Sequence, residues 1–132
     1  MAMTISQLAQ SAGVGVETVR FYQRRGLLFD PRPAARGGAP GSKHYGEAER
    51  QRLRFIRSAQ RAGFSLLEIG HLLELDRSED RAKARAMASA RINALDAQIA
   101  EMQAARQSLE RLAQECARSD QGPCPIITAF ED

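Results

Sequence analysis

Apolar residues near the start of the chain recur at the three- or four-residue spacing of two short helices. Leu8 and Ala9 fall on one face of a first segment, which opens with the capping-box pattern Thr4-Ile5-Ser6-Gln7. Val19 faces inward from a second segment that ends at Gly26, and a Gly-containing link joins the two segments. Two short helices across such a turn predict a helix-turn-helix, whose second helix can enter the major groove of DNA.

The next stretch predicts a wing and two further helices. Residues 30–43 are rich in Pro and Gly, which oppose the interiors of helices and strands. They lie between the apolar segments 27–29 and 44–45, each able to form a very short strand. Helical spacing returns over 46–62, and a second capping box, Ser65-Leu66-Leu67-Glu68, opens a short helix with an apolar face.

The longest helical pattern runs from about Arg81 to Cys116 without Gly or Pro. At ~1.5 Å per residue this helix is about 50 Å long, too long to fold back on so small a core. Its apolar stripe keeps a near-heptad spacing interrupted by Arg106, and so requires a partner helix, most simply from a second copy related by a twofold axis. The stripe consists of Ile92, Leu95, Ile99, Met102, Leu109 and Leu112.

Charge is distributed unevenly along the 132 residues. The net charge of +3 divides into +7 over residues 1–63, with 11 Lys/Arg against 4 Asp/Glu, and −4 over the remainder. A basic half is typical of a protein that binds a polyanion. We find no secretory signal and no segment apolar enough to cross a bilayer, and therefore expect a cytoplasmic protein without a membrane partner.

The two cysteines, Cys116 and Cys124, follow the long helix and are separated by seven residues that cannot continue it. In a reducing compartment such a pair favours thiols over a structural disulfide. Two thiolates suit Cu(I), Ag(I) or Hg(II), and with added ligands Zn(II) or Cd(II). A redox disulfide and two inert thiols are the alternatives.

Several motifs together resemble the MerR family of transcription regulators. They are Glu-Thr-Val-Arg-Phe-Tyr within residues 16–28, Tyr45-Gly46-Glu47-Ala48, Arg54-Phe55-Ile56, and residues 63–69, and the likeness spans essentially the whole chain. The resemblance implies a mainly α fold, with a winged helix-turn-helix DNA-binding domain over 1–75, a dimerising coiled-coil helix over 81–115 and a metal-binding loop over 116–132. It further implies a homodimer that activates transcription by RNA polymerase by distorting promoter DNA. Since no catalytic motif is present, we do not expect an enzyme.

Outward residues of the second helix and of the wing are the expected DNA contacts, to base edges or to phosphates. Of the two adjacent aromatics, we assign Phe21 to the core and Tyr22 to the DNA backbone. The arginines over 50–61, taken singly, are interpreted as a solvated charged face. The candidates for DNA contact are Thr18, Arg20, Tyr22, Arg24 or Arg25, Arg36, Lys43, His44 and Tyr45.

The resemblance also narrows the choice of metal. Divalent sensors of the family carry a third cysteine at the start of the dimer helix, where this chain has Arg81, which cannot ligate a metal. Copper-type sensors lack that cysteine and share the seven-residue spacing, so Cu(I) is favoured, with Hg(II), Zn(II) and Cd(II) as alternatives. Two thiolates and a +1 ion leave a net −1, which Arg81 is placed to offset across the dimer. The competing interpretation pairs Arg81 with Asp80 or Glu79 at the surface.

Overall fold

The computed structural model describes residues 2–29 and 44–131, and this part of the chain is mainly helical. The described helices are α1 (Ile5–Ser11), α2 (Val16–Arg24), α3 (Glu47–Arg61), α4 (Leu66–Arg77), α5 (Arg81–Ala117) and α6 (Pro125–Ala129). The first five were predicted, whereas α6 was not, because five residues are too few to establish a helical period. The chain forms two compact units that meet between Arg85 and Ala86, inside α5. Within the described residues, no helix is both long and apolar enough to span a membrane.

Both predicted capping boxes form. The backbone N–H of Gln7 donates to Thr4 Oγ1 at 3.2 Å, and the N–H of Thr4 donates to Gln7 Oε1 at 2.9 Å. Ser65 and Glu68 make the same reciprocal pair at the start of α4, at 2.8 and 3.1 Å. These bonds satisfy amides that would otherwise lack partners at the helix starts, and so they set where α1 and α4 begin.

The first unit buries a core between α1, α2, α3 and α4. Its largest fully buried side chains include Leu8, Val19, Leu53, Ile56 and Ile69, each with no solvent exposure. Burying each such side chain contributes roughly 1.5–3 kcal/mol, so the core holds the two helices of the helix-turn-helix against α3. The residues that complete this core are Ala9, Tyr22, Leu27, Leu28, Tyr45 and Ala59.

The two short strands expected to flank the wing do not pair with each other in the described residues. Tyr45 instead forms an isolated antiparallel bridge with Met3, through N–H···O bonds of 2.7 and 2.8 Å. Leu27 and Leu28 turn into the core after α2, where they are 6% and 3% exposed. Within the described residues the predicted pairing of 27–29 with 44–45 is therefore wrong, because Leu27 and Leu28 are buried in the core and the backbone of Tyr45 is bonded to Met3. The predicted loop over 30–43 lies outside the described residues.

The junction between α4 and α5 has an unusual backbone. Glu79 has φ +57°, a left-handed conformation that glycine adopts most easily. The other described residues with positive φ are all glycines: Gly13, Gly26, Gly63 and Gly122. Three backbone bonds hold the turn at Glu79: its own N–H donates to Asp76 O at 3.2 Å, the N–H of Asp80 donates to Leu75 O at 2.9 Å, and the N–H of Arg81 donates to Glu79 O at 3.1 Å.

The second unit consists of the rest of α5, the cysteine loop and α6, and none of its described residues is buried. Along α5 the apolar stripe stays open, with Ile92 55%, Ile99 53% and Met102 70% exposed. A helix of 37 residues with no buried side chain lacks the packing that normally stabilises helices in proteins. The open stripe is what the sequence pattern predicts for a helix that pairs with another helix.

Candidate functional site

The helix-turn-helix is built from α1, a four-residue turn and α2. In the turn, Gly13 has φ +69°, and the N–H of Val14 donates to Ala9 O at 3.0 Å. An added side chain at Gly13 would meet no neighbouring atom, so backbone conformation rather than space favours glycine there. Val19 anchors α2 in the core, which leaves the opposite face of α2 to solvent.

The solvent face of α2 carries cationic side chains. Arg20 and Arg24 are exposed, and Thr18 is half-buried. Arg20 Nη1 lies 3.1 Å from Glu17 Oε1, but the two side chains are 54% and 80% exposed. Such an exposed ion pair is weak, about 0–1 kcal/mol, and leaves Arg20 available to another anion. The contacts of Thr18, Arg20 and Arg24 with DNA stay predictions.

The structure reverses the assignment of the two aromatics on α2. Tyr22 is 2% exposed, and its hydroxyl donates to Gln60 Oε1 at 2.6 Å and accepts from Arg57 Nη1 at 3.4 Å. Phe21 is 37% exposed, with the Arg25 guanidinium 5.7 Å from its ring centroid. The assignment of Tyr22 as an outward DNA residue was therefore wrong. Spacing carried the missed signal, since Tyr22 lies three residues after the buried Val19.

The structure describes two of the four wing candidates, His44 and Tyr45. Tyr45 is 1% exposed and its hydroxyl accepts from Gln23 Nε2 at 3.0 Å, so its placement as an outward wing residue was also wrong. His44, the residue before it, is exposed. Arg36 and Lys43 lie outside the described residues.

Some arginines of α3 are not part of a solvated face. Arg52 Nη1 donates to Leu27 O at 3.4 Å, and Arg57 reaches Tyr22 as described above. Arg54 and Arg61, by contrast, are exposed. Sequence reasoning missed Arg57 and Gln60 because their partner on α2 lies more than 30 residues away along the chain.

The loop after α5 brings the two cysteines together. The Sγ atoms of Cys116 and Cys124 are 3.8 Å apart, and both residues are half-buried. Cys116 lies in the last turn of α5, and Cys124 is the residue before α6, whose first position is Pro125. Pro is favoured at the first position of a helix, and α6 accordingly begins directly after Cys124, which is the last residue of the loop.

The two thiols are electrostatically unequal. The hydrogen bond with Cys124 and the charge of that residue raise the pKa of Cys116 above its ordinary value. Backbone hydrogen bonds from Ile127 and Ile126 hold the pKa of Cys124 below its ordinary value. Of the two thiols, Cys124 therefore loses its proton first as the pH rises. A thiolate is the form that binds soft metals.

Arg81 begins α5 in the first unit and is exposed. It lines a cavity of about 920 Å³ together with Arg52 and Asp76. Asp80, one of its two expected surface partners, pairs with Lys83 at 3.7 Å. Among the residues described, no group of three or more His, Cys, Asp and Glu side chains is arranged to hold a metal.

Two protein-family models match this chain. The family model described as "MerR HTH family regulatory protein" matches residues 3–76, and the model "MerR, DNA binding" matches residues 50–112. The chain belongs to the MerR family. This is a family of DNA-binding transcription regulators, which agrees with the exposed cationic face of α2.

Several relatives and solved structures match nearly the whole length of this chain. The mercuric resistance operon regulatory protein of Pseudomonas fluorescens is 38% identical over 131 residues, which are 98% of this chain and 88% of that protein. The transcription regulator PbrR691 of Ralstonia metallidurans, solved in complex with lead(II), has 29% identity and a TM-score of 0.70, covering 97% and 98% of the two chains. MerR of Bacillus megaterium, solved with mercury(II), has 28% identity and a TM-score of 0.68, covering 98% and 100%.

Proposed function

We propose that this MerR-family protein is a metal-responsive regulator that binds promoter DNA as a homodimer and senses a soft metal ion through Cys116 and Cys124. The single observation that carries the proposal is the 3.8 Å separation of the two Sγ atoms in the loop after α5. The relatives named for mercury resistance, and the neighbours solved with lead(II) and mercury(II), support a soft metal as the effector.

The two cysteines fit a soft ion. With metal–sulfur bonds of about 2.3 Å, two sulfurs on one ion lie at most about 4.6 Å apart, and the observed separation is within that limit. Cysteine thiolates prefer soft ions to hard ones such as Mg²⁺ or Ca²⁺. Cys116 at the end of α5 and Cys124 just before α6 would hold the ion. It changes transcription only if it binds the activating arrangement of the dimer more tightly than the repressing one.

Ligand count and charge favour a monovalent ion. The chain has two cysteines in all, and the family resemblance implies that divalent sensors have a third at about the position of Arg81. Zn(II) in proteins takes four ligands in its structural sites, whereas the pair offers two. Two thiolates and a +1 ion carry a net −1, for which Arg81 is our candidate counter-charge. We therefore infer Cu(I) or Ag(I) as the inducing ion.

Mercury(II) is the second candidate, and the relatives favour it. It also binds thiolates strongly, and the Pseudomonas fluorescens relative at 38% identity is named for mercuric resistance. With two thiolates it forms a neutral site, which needs no counter-charge. The response of Arg81 variants therefore separates the two ions.

We propose that α2 is the DNA-reading helix, with Arg20 and Arg24 on its exposed face. Arginine can donate two hydrogen bonds to guanine or one to phosphate. Phe21 replaces Tyr22 as the aromatic at this surface, since its ring is partly exposed beside the Arg25 guanidinium. RNA polymerase is the proposed partner at the promoter.

The test is promoter-dependent transcription in vitro with Cu(I), Ag(I), Hg(II), Zn(II) and Cd(II) at buffered concentrations. The wild-type protein should respond to Cu(I) and Ag(I). Cys116→Ser and Cys124→Ser should each abolish induction yet still bind the promoter, because the cysteines belong to the second unit and α2 to the first. If Hg(II) or Zn(II) induces transcription by the wild-type protein and Cu(I) and Ag(I) do not, the monovalent assignment is wrong.

Variants of Arg81 test the counter-charge. Arg81→Ala should weaken the Cu(I) response, and Arg81→Cys should shift the response toward Hg(II) or Cd(II) by adding a soft ligand. Arg85→Ala is the matched control, since it removes the same charge from an exposed position one turn further along α5. If Arg81→Ala and Arg85→Ala weaken the Cu(I) response equally, Arg81 is not a specific counter-charge for the metal site. Induction by peroxide without any metal dependence would contradict metal sensing altogether.

A further inference from the structure

The cysteine pair has a second chemistry besides metal binding. The two sulfurs are 3.8 Å apart and each residue keeps part of its surface in solvent, so both are accessible to small oxidants. They are also the only cysteines in the sequence. Within one chain, each thiol therefore has the other as its sole thiol neighbour.

The local structure allows the sulfurs to approach further. A disulfide needs an S–S distance of about 2.05 Å, so the atoms must move about 1.8 Å closer than the observed 3.8 Å. The residues between them, 117–123, are all exposed, and hence no packed side chain opposes the movement. Gly122 already has φ +88°, which gives the loop its turn back toward α5.

We propose that Cys116 and Cys124 close to an intramolecular disulfide under peroxide, and that disulfide and bound metal are mutually exclusive states of the pair. This inference rests on the proposed metal site. The oxidised chain then fails to respond to metal, because neither sulfur is a thiolate. An oxidant therefore silences the regulator rather than inducing it, which distinguishes this state from that of a redox activator.

The reaction balances with hydrogen peroxide as the oxidant. One thiol sulfur attacks an oxygen of the O–O bond, which breaks and releases water, leaving a sulfenic acid. The second thiol attacks that sulfur, the S–S bond forms, and the sulfenic hydroxyl leaves as a second water. Two thiols and one peroxide thus give one disulfide and two waters. The two sulfurs lose two electrons, which reduce the peroxide.

A short loop favours closure within the chain over linkage between chains. Seven residues separate the two cysteines, and the entropic cost of closing a loop rises with its length. Since the sulfurs already face each other at 3.8 Å, the second step competes well against a thiol from another chain or from solution. We expect reduction by dithiothreitol to restore both thiols.

The first arm of the test treats the metal-free, reduced, full-length protein with equimolar hydrogen peroxide. Free thiols, counted with a chromogenic disulfide reagent, should fall from two to none per chain. The intact mass under non-reducing conditions should drop by two hydrogens. The Cys116→Ser/Cys124→Ser double variant is the control for oxidation of methionines such as the exposed Met102. Disulfide-linked chain pairs on a non-reducing gel, persistent sulfenic acid or unreacted thiols would overturn the proposal.

The second arm loads the protein with one equivalent of Ag(I) per chain before peroxide is added, and measures bound silver by equilibrium dialysis. Bound Ag(I) should slow thiol loss in proportion to the fraction of sites occupied, and the pre-formed disulfide should not retain silver. Silver that binds without slowing oxidation would overturn the mutual exclusion. Failure of Ag(I) to bind would instead overturn the proposed metal site, while the first arm still decides whether the disulfide forms.

Discussion

Replacing Ile99 by Glu should separate the dimer that the open stripe on α5 predicts. Ile99 is 53% exposed in the single chain, and full burial of an isoleucine side chain contributes ~1.5–3 kcal/mol. The exposed half therefore contributes roughly 1 kcal/mol per protomer, and roughly 2 kcal/mol for two symmetric copies. That loss raises the dimer dissociation constant about 30-fold. The two unpaired carboxylates add a further penalty, so 30-fold is a lower limit.

Sedimentation velocity over a dilution series measures this dissociation constant directly. The matched control is Ala97→Glu, which introduces the same charge at an exposed position about 160° around the helix from Ile99. The control should stay dimeric at concentrations where Ile99→Glu is monomeric. A wild-type monomer, or equal dissociation of both variants, would refute the argument that this stripe is the dimer seam.

Three further predictions concern the first unit. Tyr22→Phe should lower the free energy of unfolding by about 1 kcal/mol in urea titrations, because it removes the hydroxyl that bonds to Gln60, and unchanged stability would contradict that role. Glu79→Gly should raise the melting temperature by relieving a left-handed backbone, a net gain of roughly 0.5–1 kcal/mol after the entropy of glycine. Glu79→Ala keeps the Cβ and should show no such gain, and an equal gain would point to the carboxylate instead. Arg20→Ala should weaken operator binding by about 1–3 kcal/mol if it reads a base, or lower the salt slope by about one if it holds a phosphate; unchanged gel-shift affinity would remove Arg20 from the interface.

Local patterns were enough to predict the helices of the fold. The capping boxes at Thr4 and Ser65 locate the starts of α1 and α4, because the bonds they use join residues only three positions apart. The absence of Gly and Pro over the long pattern predicted α5, which runs from Arg81 to Ala117. The cysteine spacing after this helix pointed to a pair of thiols in one loop, and the structure places them 3.8 Å apart.

Tertiary contacts decided what local patterns leave open. At about 100° per residue, Tyr22 lies about 60° and Phe21 about 160° around α2 from the buried Val19, so spacing already favours Tyr22 for the core and leaves open only the partner of its hydroxyl. The fold supplies that partner, since Gln60 on α3 gives the Tyr22 hydroxyl an acceptor at 2.6 Å. Tyr45 likewise pairs with Met3, a residue 42 positions earlier, rather than with the nearer leucines of the expected hairpin.

The sequence by itself determined the helix-turn-helix, the long helix with its open stripe and the two-thiol loop, because each depends on residues close together along the chain. Only the tertiary structure decided which side chain of α3 accepts from the Tyr22 hydroxyl and which segment pairs with Tyr45. Those choices depend on free-energy differences of about 1 kcal/mol between competing burial and hydrogen-bond partners, and the winning partners come from distant elements. A buried hydroxyl must find an acceptor, and the position of that acceptor is a property of the folded core.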